Sequence, residues 1–249
     1  MHIHDLFDDK SDLYASARPQ YPSELYEWLA GCCDATQQVW DVGCGSGQAA
    51  IDLKKIFESV QATDVSPSQI ENAPEIEGIT FSVQRAEHTN FDDNCFDAIC
   101  VAQTPHWFDY ELFWPEVKRV LKPNGVFCAW GYSWPHIDQR IDDLLETTFL
   151  SVIRPYWAPQ NQLLWDGYVD VPLPFEHQVA APEIELVMNW SLEQFFAYLH
   201  SWSATRRCME ENGDDFFMSS YDAITKHWPP EATRKVSMAF FVVAGKDVA

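Results

Sequence analysis

The chain has 249 residues and a formal net charge of −22, with a sequence pI near 4.5. Nucleic acid presents a dense row of phosphates and its binders carry a basic face, so an acidic chain with no long basic run argues against a nucleic-acid partner, and against an anionic membrane surface with it. Hydrophobic content of 47% is ordinary for a soluble globular protein, but 11 Trp, 9 Tyr and 16 Phe are a heavy aromatic load, enough to fill a core and also line an apolar pocket for an organic molecule.

Seven cysteines, an odd number without C-x-x-C spacing, lie partly in apolar strand-like runs, where a free thiol behaves as a small hydrophobe. They point to a reducing cytoplasm, with no disulfide framework and no zinc site. The first residues, MHIHDLFDD, lack the apolar region of a signal peptide, and no apolar run is long enough to span a bilayer.

Residues 1–35 precede the first core strand. Ser11 can cap a short helix through Ala17, and Pro22 opens another through Leu25, Trp28 and Leu29. The stretch Tyr14-x-x-x-Arg18-Pro19-x-Tyr21-Pro22 is either a packed amphipathic arm or a lid in which the guanidinium fork of Arg18 pairs with a ligand carboxylate. Val39 to Gly47, VWDVGCGSG, starts as an apolar run and breaks into three alternating glycines, and a helical pattern follows from Gln48 to about Phe57. That is the strand, tight turn and helix of an α/β unit. Gly43, Gly45 and Gly47 let the backbone bend and let a ligand lie against it, and the free N–H groups at the helix start attract negative charge. The dinucleotide fingerprint G-x-G-x-x-G is not met, because Gln48 occupies its third glycine position.

Val60 to Asp64 reads as a second strand ending in an acid about 20 residues past the glycines. A carboxylate there can accept from both hydroxyls of a ribose, or serve as an N-cap acid before Pro67. Ile79 to Gln84 is the third strand by β-branching, followed by Ala86-Glu87. Phe96 to Gln103 is nearly continuous and apolar, as a parallel strand covered on both faces is. Ligands of open α/β sheets sit at the carboxyl ends of strands, so Gln103 to Phe108 should border the reacting group. A helix runs on to Leu121, with Pro115 as a kink or a fresh first turn; Lys122 to Gly125 is a turn, and Val126 to Tyr132 is strand five. Beyond it, Ile137 to about Tyr156 has helical spacing, 157–182 reads as irregular cover, and Glu183 to Trp190 as a strand. Ser191 with Gln194 forms a capping box ahead of a helix, another helix spans Phe216 to His227, and Ser237 to Ala244 is a closing strand.

DVGCGSG resembles motif I of the class I S-adenosylmethionine (SAM) methyltransferases, an acidic residue followed by G-x-G-x-G. With ATDVS, QRAEHTNF, AQTPHWFDYELFWPEVKRVLKPNG and AWGYSW, the chain is similar over about half its length to the type 11 branch that includes the trans-aconitate methyltransferase-like enzymes; the Tyr14…Arg18-Pro19 arm and YLHSWSA from Tyr198 fit the same branch. The resemblance implies an α/β, Rossmann-like, doubly wound seven-stranded sheet, mostly parallel with one antiparallel edge strand, plus an N-terminal helical arm and a C-terminal helical insert. It implies a single domain over 1–249: a lid arm at 1–35, a cofactor-binding core at 36–134, and helical cover with closing strands at 135–249. It also implies SAM as cofactor and S-adenosylhomocysteine as product. Asp41 then faces the methionine ammonium, Asp64 and Val65 meet the nucleoside, and the adenine meets the backbone of Ala86 or the carboxylate of Glu87. Tyr14, Arg18 and Gln103 complete the cofactor set. Members of the branch often carry a small residue and a second glycine where this chain has Thr104-Pro105 and Pro123-Asn124, a departure that reshapes the loop beside the acceptor.

Methyl transfer from a sulfonium is an in-line displacement in which the protein mainly positions reactants and excludes water. A carboxylate acceptor is already ionised at neutral pH and needs no base. A hydroxyl or amine acceptor would be helped by one, and His106 is the candidate; otherwise it orients or packs. Trp107, Phe108, Trp130 and Trp134 are candidate walls for the acceptor or core residues. The expected activity is O-methylation of a small organic acid. The alternatives are a hydroxyl, amine or carbon of an aromatic or lipid-like metabolite, or a SAM-binding protein without activity. No metal constellation is present in the sequence.

Overall fold

A computed structural model describes residues 18–248; Tyr14 and the helix expected from Ser11 lie outside the described residues. Contacts divide the chain into two compact units, one of Tyr21–Ser133, Gln162–Ile184 and residues from Phe240, the other of residues 18–20, Trp134–Asn161 and Glu185–Ala239.

The first unit is the α/β core. Its order is α1 (Ser23–Cys32), β1 (Gln38–Val42), α2 (Gln48–Leu53), β2 (Ser59–Asp64), α3 (Pro67–Glu71), β3 (Ile79–Val83), β4 (Phe96–Ala102), α4 (Tyr110–Val120), β5 (Leu121–Tyr132), α5 (Asn161–Trp165) and β6 (His177–Gln178), closed by the second half of β8 (Thr233–Lys246). The sheet runs β3-β2-β1-β4-β5-β8-β6. Neighbours from β3 to β5 are parallel, and β8 is antiparallel, from Phe127↔Gly245 to Tyr132↔Phe240. The closing strand expected at Ser237–Ala244 therefore exists but is longer, and two residues of β6 pair beyond it. Strand β4 explains the layering. Ala98 and Cys100 face a core built with Leu25, Leu29, Ala50 and Leu53 of α1 and α2, whereas Ile99 and Val101 face one built with Phe113, Val117 and Val120 of α4. Alternate residues are thus buried on opposite faces, which is why the strand reads as one apolar run.

Two sequence expectations change form. Pro115 lies inside α4 without ending it, so the helix is one element rather than two. The turn expected at Lys122–Gly125 is a bulge within β5: pairing passes from Phe96↔Leu121 to Ala98↔Val126, with Asn124 at φ 62°. At this amino end of the sheet the buried Asp97 accepts from Gln37 N–H at 2.9 Å, Gln38 N–H at 2.8 Å and Lys122 Nζ at 2.7 Å, which pins β1, β4 and β5 in register.

The second unit is largely helical. A continuous helical run starts at α6 (Gln139–Leu145) and passes through a π turn at Glu146–Leu150; Ser220 Oγ donates to the Thr148 carbonyl at 2.8 Å. Strand β7 (Glu185–Ser191) pairs with the first half of β8, and α7 (Leu192–His200) begins with the expected capping box. Helix α8 (Ser203–Asn212) was not foreseen, because SATRRCMEEN has too few apolar residues to show a helical stripe; α9 (Asp215–Thr225) matches its expected position. Trp134, Trp157 and Trp202 pack mutually edge-on or tilted, with ring centroids 5.3–5.8 Å apart. Trp134 is thus a member of this unit's aromatic core.

The segment after β3 is fastened to α4 by one buried acid. Glu116 accepts from the backbone and hydroxyl of Thr89 at 2.8 and 2.5 Å, and from Arg119 at 2.7 and 3.0 Å. Burial pushes its carboxyl up, but the bonds from Arg119 and Thr89 outweigh burial and hold it below the usual range. A depressed carboxyl stabilises the fold above its unfolded pKa, and that stability is lost as pH falls through the folded value. Arg119→Leu leaves Glu116 buried without its cation and should cost on the order of 2–3 kcal/mol at pH 7. Urea unfolding should show that loss shrinking toward pH 3; a loss independent of pH would contradict the ionic account.

Candidate functional site

Strand order reverses between β1 and β4, where the chain goes outward to β2 and β3 on one side and to β5 on the other. In a doubly wound sheet a crevice opens at the carboxyl ends on this line. The glycine bend occupies it. Gly43 and Gly47 take φ values of 67° and 95°, where a side chain is strained. A Cβ at Gly43 would meet Thr104 Oγ1 at 2.7 Å, and one at Gly47 would meet the Phe81 ring at 2.6 Å. Those two glycines are required by the chain's own packing. Gly45 differs: the nearest atom to its Cβ position is Gln69 Oε1 at 3.7 Å, so it is the glycine against which a ligand can lie.

Asp41 lies one residue before the end of β1, inside the protein. It is 0% exposed, and among the described residues neither carboxylate oxygen has a cation or a side-chain donor. Burial pushes its pKa up to about 7, opposed by the polar contact of the Ala50 N–H at the start of α2 and aided by the charge of Asp64. Burial also pushes the Cys44 thiol up, which keeps it from acting as a nucleophile. Asp64, at the end of β2, accepts from Gly45 N–H and Ser66 N–H, both at 2.9 Å. One bond to each oxygen leaves each a further lone pair. The next residue, Val65, is 65% exposed.

At the end of β3, Ala86 is buried. Glu87 is shielded: Oε1 accepts from Asp109 N–H at 3.2 Å and Oε2 lies 3.5 Å from Arg85 Nε. At the end of β4, Gln103 takes φ 62°, its N–H donates to the Trp130 carbonyl at 2.9 Å, and its side-chain nitrogen is hidden from solvent without a partner among the described residues. His106 is buried within a single 3-10 turn, Pro105–Trp107, that Tyr110 secures by donating its hydroxyl to the Pro105 carbonyl at 2.9 Å. The His106 and Trp107 rings are 4.9 Å apart, and Trp107 is 50% exposed.

The strand ends thus gather Asp41, the glycines, Asp64, Val65, Ala86, Glu87, Gln103, His106 and Trp107. Phe108 instead packs on Phe113 at 4.7 Å, and Trp130 is fully buried with the edges of Tyr21 and Tyr26 at 5.7 and 6.1 Å. Both lean into the core rather than offering a wall. Arg18 is exposed and belongs to the other unit. Two residues escaped the sequence reading. Thr104 packs on Gly43 and donates to the Val42 carbonyl at 3.3 Å, and the buried Tyr26 hydroxyl lacks a partner. Thr104 was within reach, since it follows β4 directly; Tyr26 carries no local signal that separates it from an ordinary core aromatic.

Comparison with known proteins identifies the family. A family model described as a methyltransferase domain matches residues 40–129. A Dictyostelium discoideum protein provisionally assigned as a methyltransferase is 32% identical over 228 residues, covering 88% of this chain and 86% of its own. A Mycobacterium tuberculosis protein described as an uncharacterized methyltransferase is 35% identical over 129 residues, about half of each chain at 51%. Among solved structures, one from Anaeromyxobacter dehalogenans, provisionally described as a type II methyltransferase, superposes with a TM-score of 0.84 at 33% identity, covering 92% of this chain and 97% of its own. The chain belongs to the SAM-dependent methyltransferases of class I fold.

The family's cofactor fits what is present. It carries an ammonium, and Asp41 is a buried acid that, among the described residues, has no cation and only the polar contact of the Ala50 N–H. It carries a ribose diol, and Asp64 keeps two acceptor positions. Without that ammonium, an Asp41 whose carboxyl sits above its unfolded value of about 3.9 makes the folded state lose stability as pH rises from about 4 to 7. Asp41→Asn should therefore stabilise the ligand-free protein at pH 8 by on the order of 2–4 kcal/mol, with the gain fading toward pH 4. Thermal unfolding at the two pH values decides this; an Asn variant less stable than the parent at pH 8 would contradict it.

Proposed function

From membership in this methyltransferase family, we propose that the chain transfers the methyl group of SAM to a carboxylate of a small organic molecule, releasing S-adenosylhomocysteine. Asp41 carries the cofactor reading, because a buried acid without a cation is complementary to an ammonium and to little else. Asp64 accepts from the ribose, and Val65 gives the base an apolar neighbour. Of the two partners considered for the adenine, the Ala86 backbone is better suited, since Glu87 already binds Asp109 N–H and Arg85. Tyr14 and Arg18 remain members of the cofactor set on the family pattern.

The bound cofactor supplies an activated methyl. The residues of the chain align the acceptor oxygen opposite the sulfur and keep water out. A carboxylate lone pair forms the new C–O bond as the C–S bond breaks and its electron pair returns to sulfur, with no proton to remove. The turn Gln103–Phe108 supports this acceptor class, as it contains an amide, a hydroxyl, an imidazole and aromatic rings but no acid. The net charge of −22 opposes an anionic acceptor only at long range, since charges are screened beyond about 8 Å at physiological salt. It disfavours nucleic acid much more strongly, because that ligand repeats its charge.

A hydroxyl or amine acceptor is the second reading, favoured by the buried position of His106 beside the strand end. Residence in the cytoplasm is supported by seven free cysteines and by the lack, among the described residues, of any helix long and apolar enough to cross a membrane. The chain acts as a single catalytic domain in this reading.

His106→Ala separates the two acceptor classes. With methyl-labelled SAM and a panel of small acids, phenols and amines, a carboxylate acceptor predicts less than about a tenfold loss, whereas loss of an essential base costs about 10²–10⁴-fold. A loss in the latter range on the preferred acceptor would overturn the carboxylate reading.

A further inference from the structure

Gln103 combines two unfavourable features. Its backbone sits at φ 62°, a region that side-chain-bearing residues rarely adopt, at the very end of the central strand. Its side-chain nitrogen is hidden from solvent and has no hydrogen-bond partner among the described residues. A glycine would relieve the first and an apolar residue the second. Buried donors are nearly always paired in folded proteins, so an unpaired one at a strained position marks a place where an acceptor is expected. We propose that the Gln103 side-chain amide positions the methyl acceptor by donating an N–H to one oxygen of its carboxylate.

Sequence reasoning grouped Gln103 with the cofactor residues; the order of the sheet argues for a different partner. The inference rests on the cofactor reading given above. That reading places the base by β3, the ribose at Asp64 on β2 and the ammonium at Asp41 on β1, in the order β3-β2-β1 of the sheet. The next strand along is β4, and Gln103 follows its last residue, Ala102. The cofactor's sulfonium joins its ribose to its amino-acid portion and bears the methyl as a third substituent, so with β2 and β1 assigned to those two portions the adjoining strand end, that of β4, is left for the acceptor.

The amide is also held firmly. Gln103 N–H is tied to the Trp130 carbonyl at 2.9 Å on β5, and the adjacent Thr104 is tied to the Val42 carbonyl at 3.3 Å on β1. The backbone that carries the donor is thereby fixed between both neighbouring strands, as a positioning group needs to be. An uncharged donor suits this task. It fixes one carboxylate oxygen by a directional bond and leaves the other free to attack, without the full charge of Arg or Lys drawing down its nucleophilicity.

The test compares wild type with Gln103→Leu, Gln103→Glu and Gln103→Gly. S-adenosylhomocysteine binding is read by calorimetry, and KM by methyl transfer to a panel of small mono- and dicarboxylic acids and their matching alcohols and amines. The expected result is homocysteine-nucleoside affinity within about threefold in all variants, with KM for the preferred acid raised about 10–100-fold in Gln103→Leu, as for a lost hydrogen bond to a charged group. Gln103→Glu should be worse still, because it sets like charges together. Gln103→Gly should melt at or above wild type while sharing the raised KM, a combination that a merely structural role does not produce. An affinity for S-adenosylhomocysteine reduced tenfold or more in Gln103→Leu, or a KM unchanged within twofold, overturns this inference alone. A wild-type protein that binds S-adenosylhomocysteine but methylates only alcohols or amines overturns it together with the carboxylate reading, and one that does not bind S-adenosylhomocysteine overturns the cofactor reading beneath both.

Discussion

The ionisable side chain of Asp41 is buried where no cation among the described residues neutralises it, and the rest of the site takes its meaning from that fact. Moving a carboxylate out of water is expensive, and folded proteins normally offset it with donors or a cation. The core unit contains two other buried carboxylates for comparison. Asp97 receives two backbone N–H groups and Lys122, and Glu116 receives Thr89 and Arg119. Both have a cation and backbone donors, and both hold elements together at positions remote from the glycine bend in sequence. Asp41, among the described residues, meets only the Ala50 N–H and no cation. The same chain thus treats buried acids in two ways, and only the third has its charge left for something that arrives from outside.

The neighbouring features follow from that vacancy of charge rather than standing as separate motifs. Asp64 binds Gly45 N–H and so fixes the bend beside Asp41, and its own charge raises the Asp41 pKa further. Thr104 and Phe81 fill the space that side chains at Gly43 and Gly47 would need, which locks the curve of the bend and leaves Gly45 clear. The Glu87–Asp109 contact and the Glu116 network attach the turn after β3 to α4, so the ends of β3 and β4 are held by one helix. The result is a rigid row of strand ends, each presenting a different kind of group in the order of the sheet.

Much of this was legible in the sequence, and what was not had a physical reason. The glycine bend, the apolar β4 and the Ser191–Gln194 capping box each declare themselves within ten residues, because local backbone needs dictate them. The polar helix α8 is stabilised by its surroundings and leaves no apolar stripe to read. The shielding of Glu87 leaves no local trace in the sequence, because its partner Asp109 lies 22 positions away. The positive φ of Gln103 is invisible in a residue type that seldom adopts it. Trp130 and Phe108 read as candidate pocket walls because an aromatic at a strand end looks the same whether it turns toward a ligand or into the core.

The most direct measurement of the central claim is the proton balance of cofactor binding. S-adenosylhomocysteine can be titrated calorimetrically at pH 6 in buffers of different ionisation enthalpy. An acid with a pKa near 7 in the free protein is mostly protonated at that pH and must ionise to receive the ammonium, so binding should release close to one proton, and Asp41→Asn should abolish the release. Binding that moves no proton at pH 6, or a release that persists in Asp41→Asn, would contradict the account.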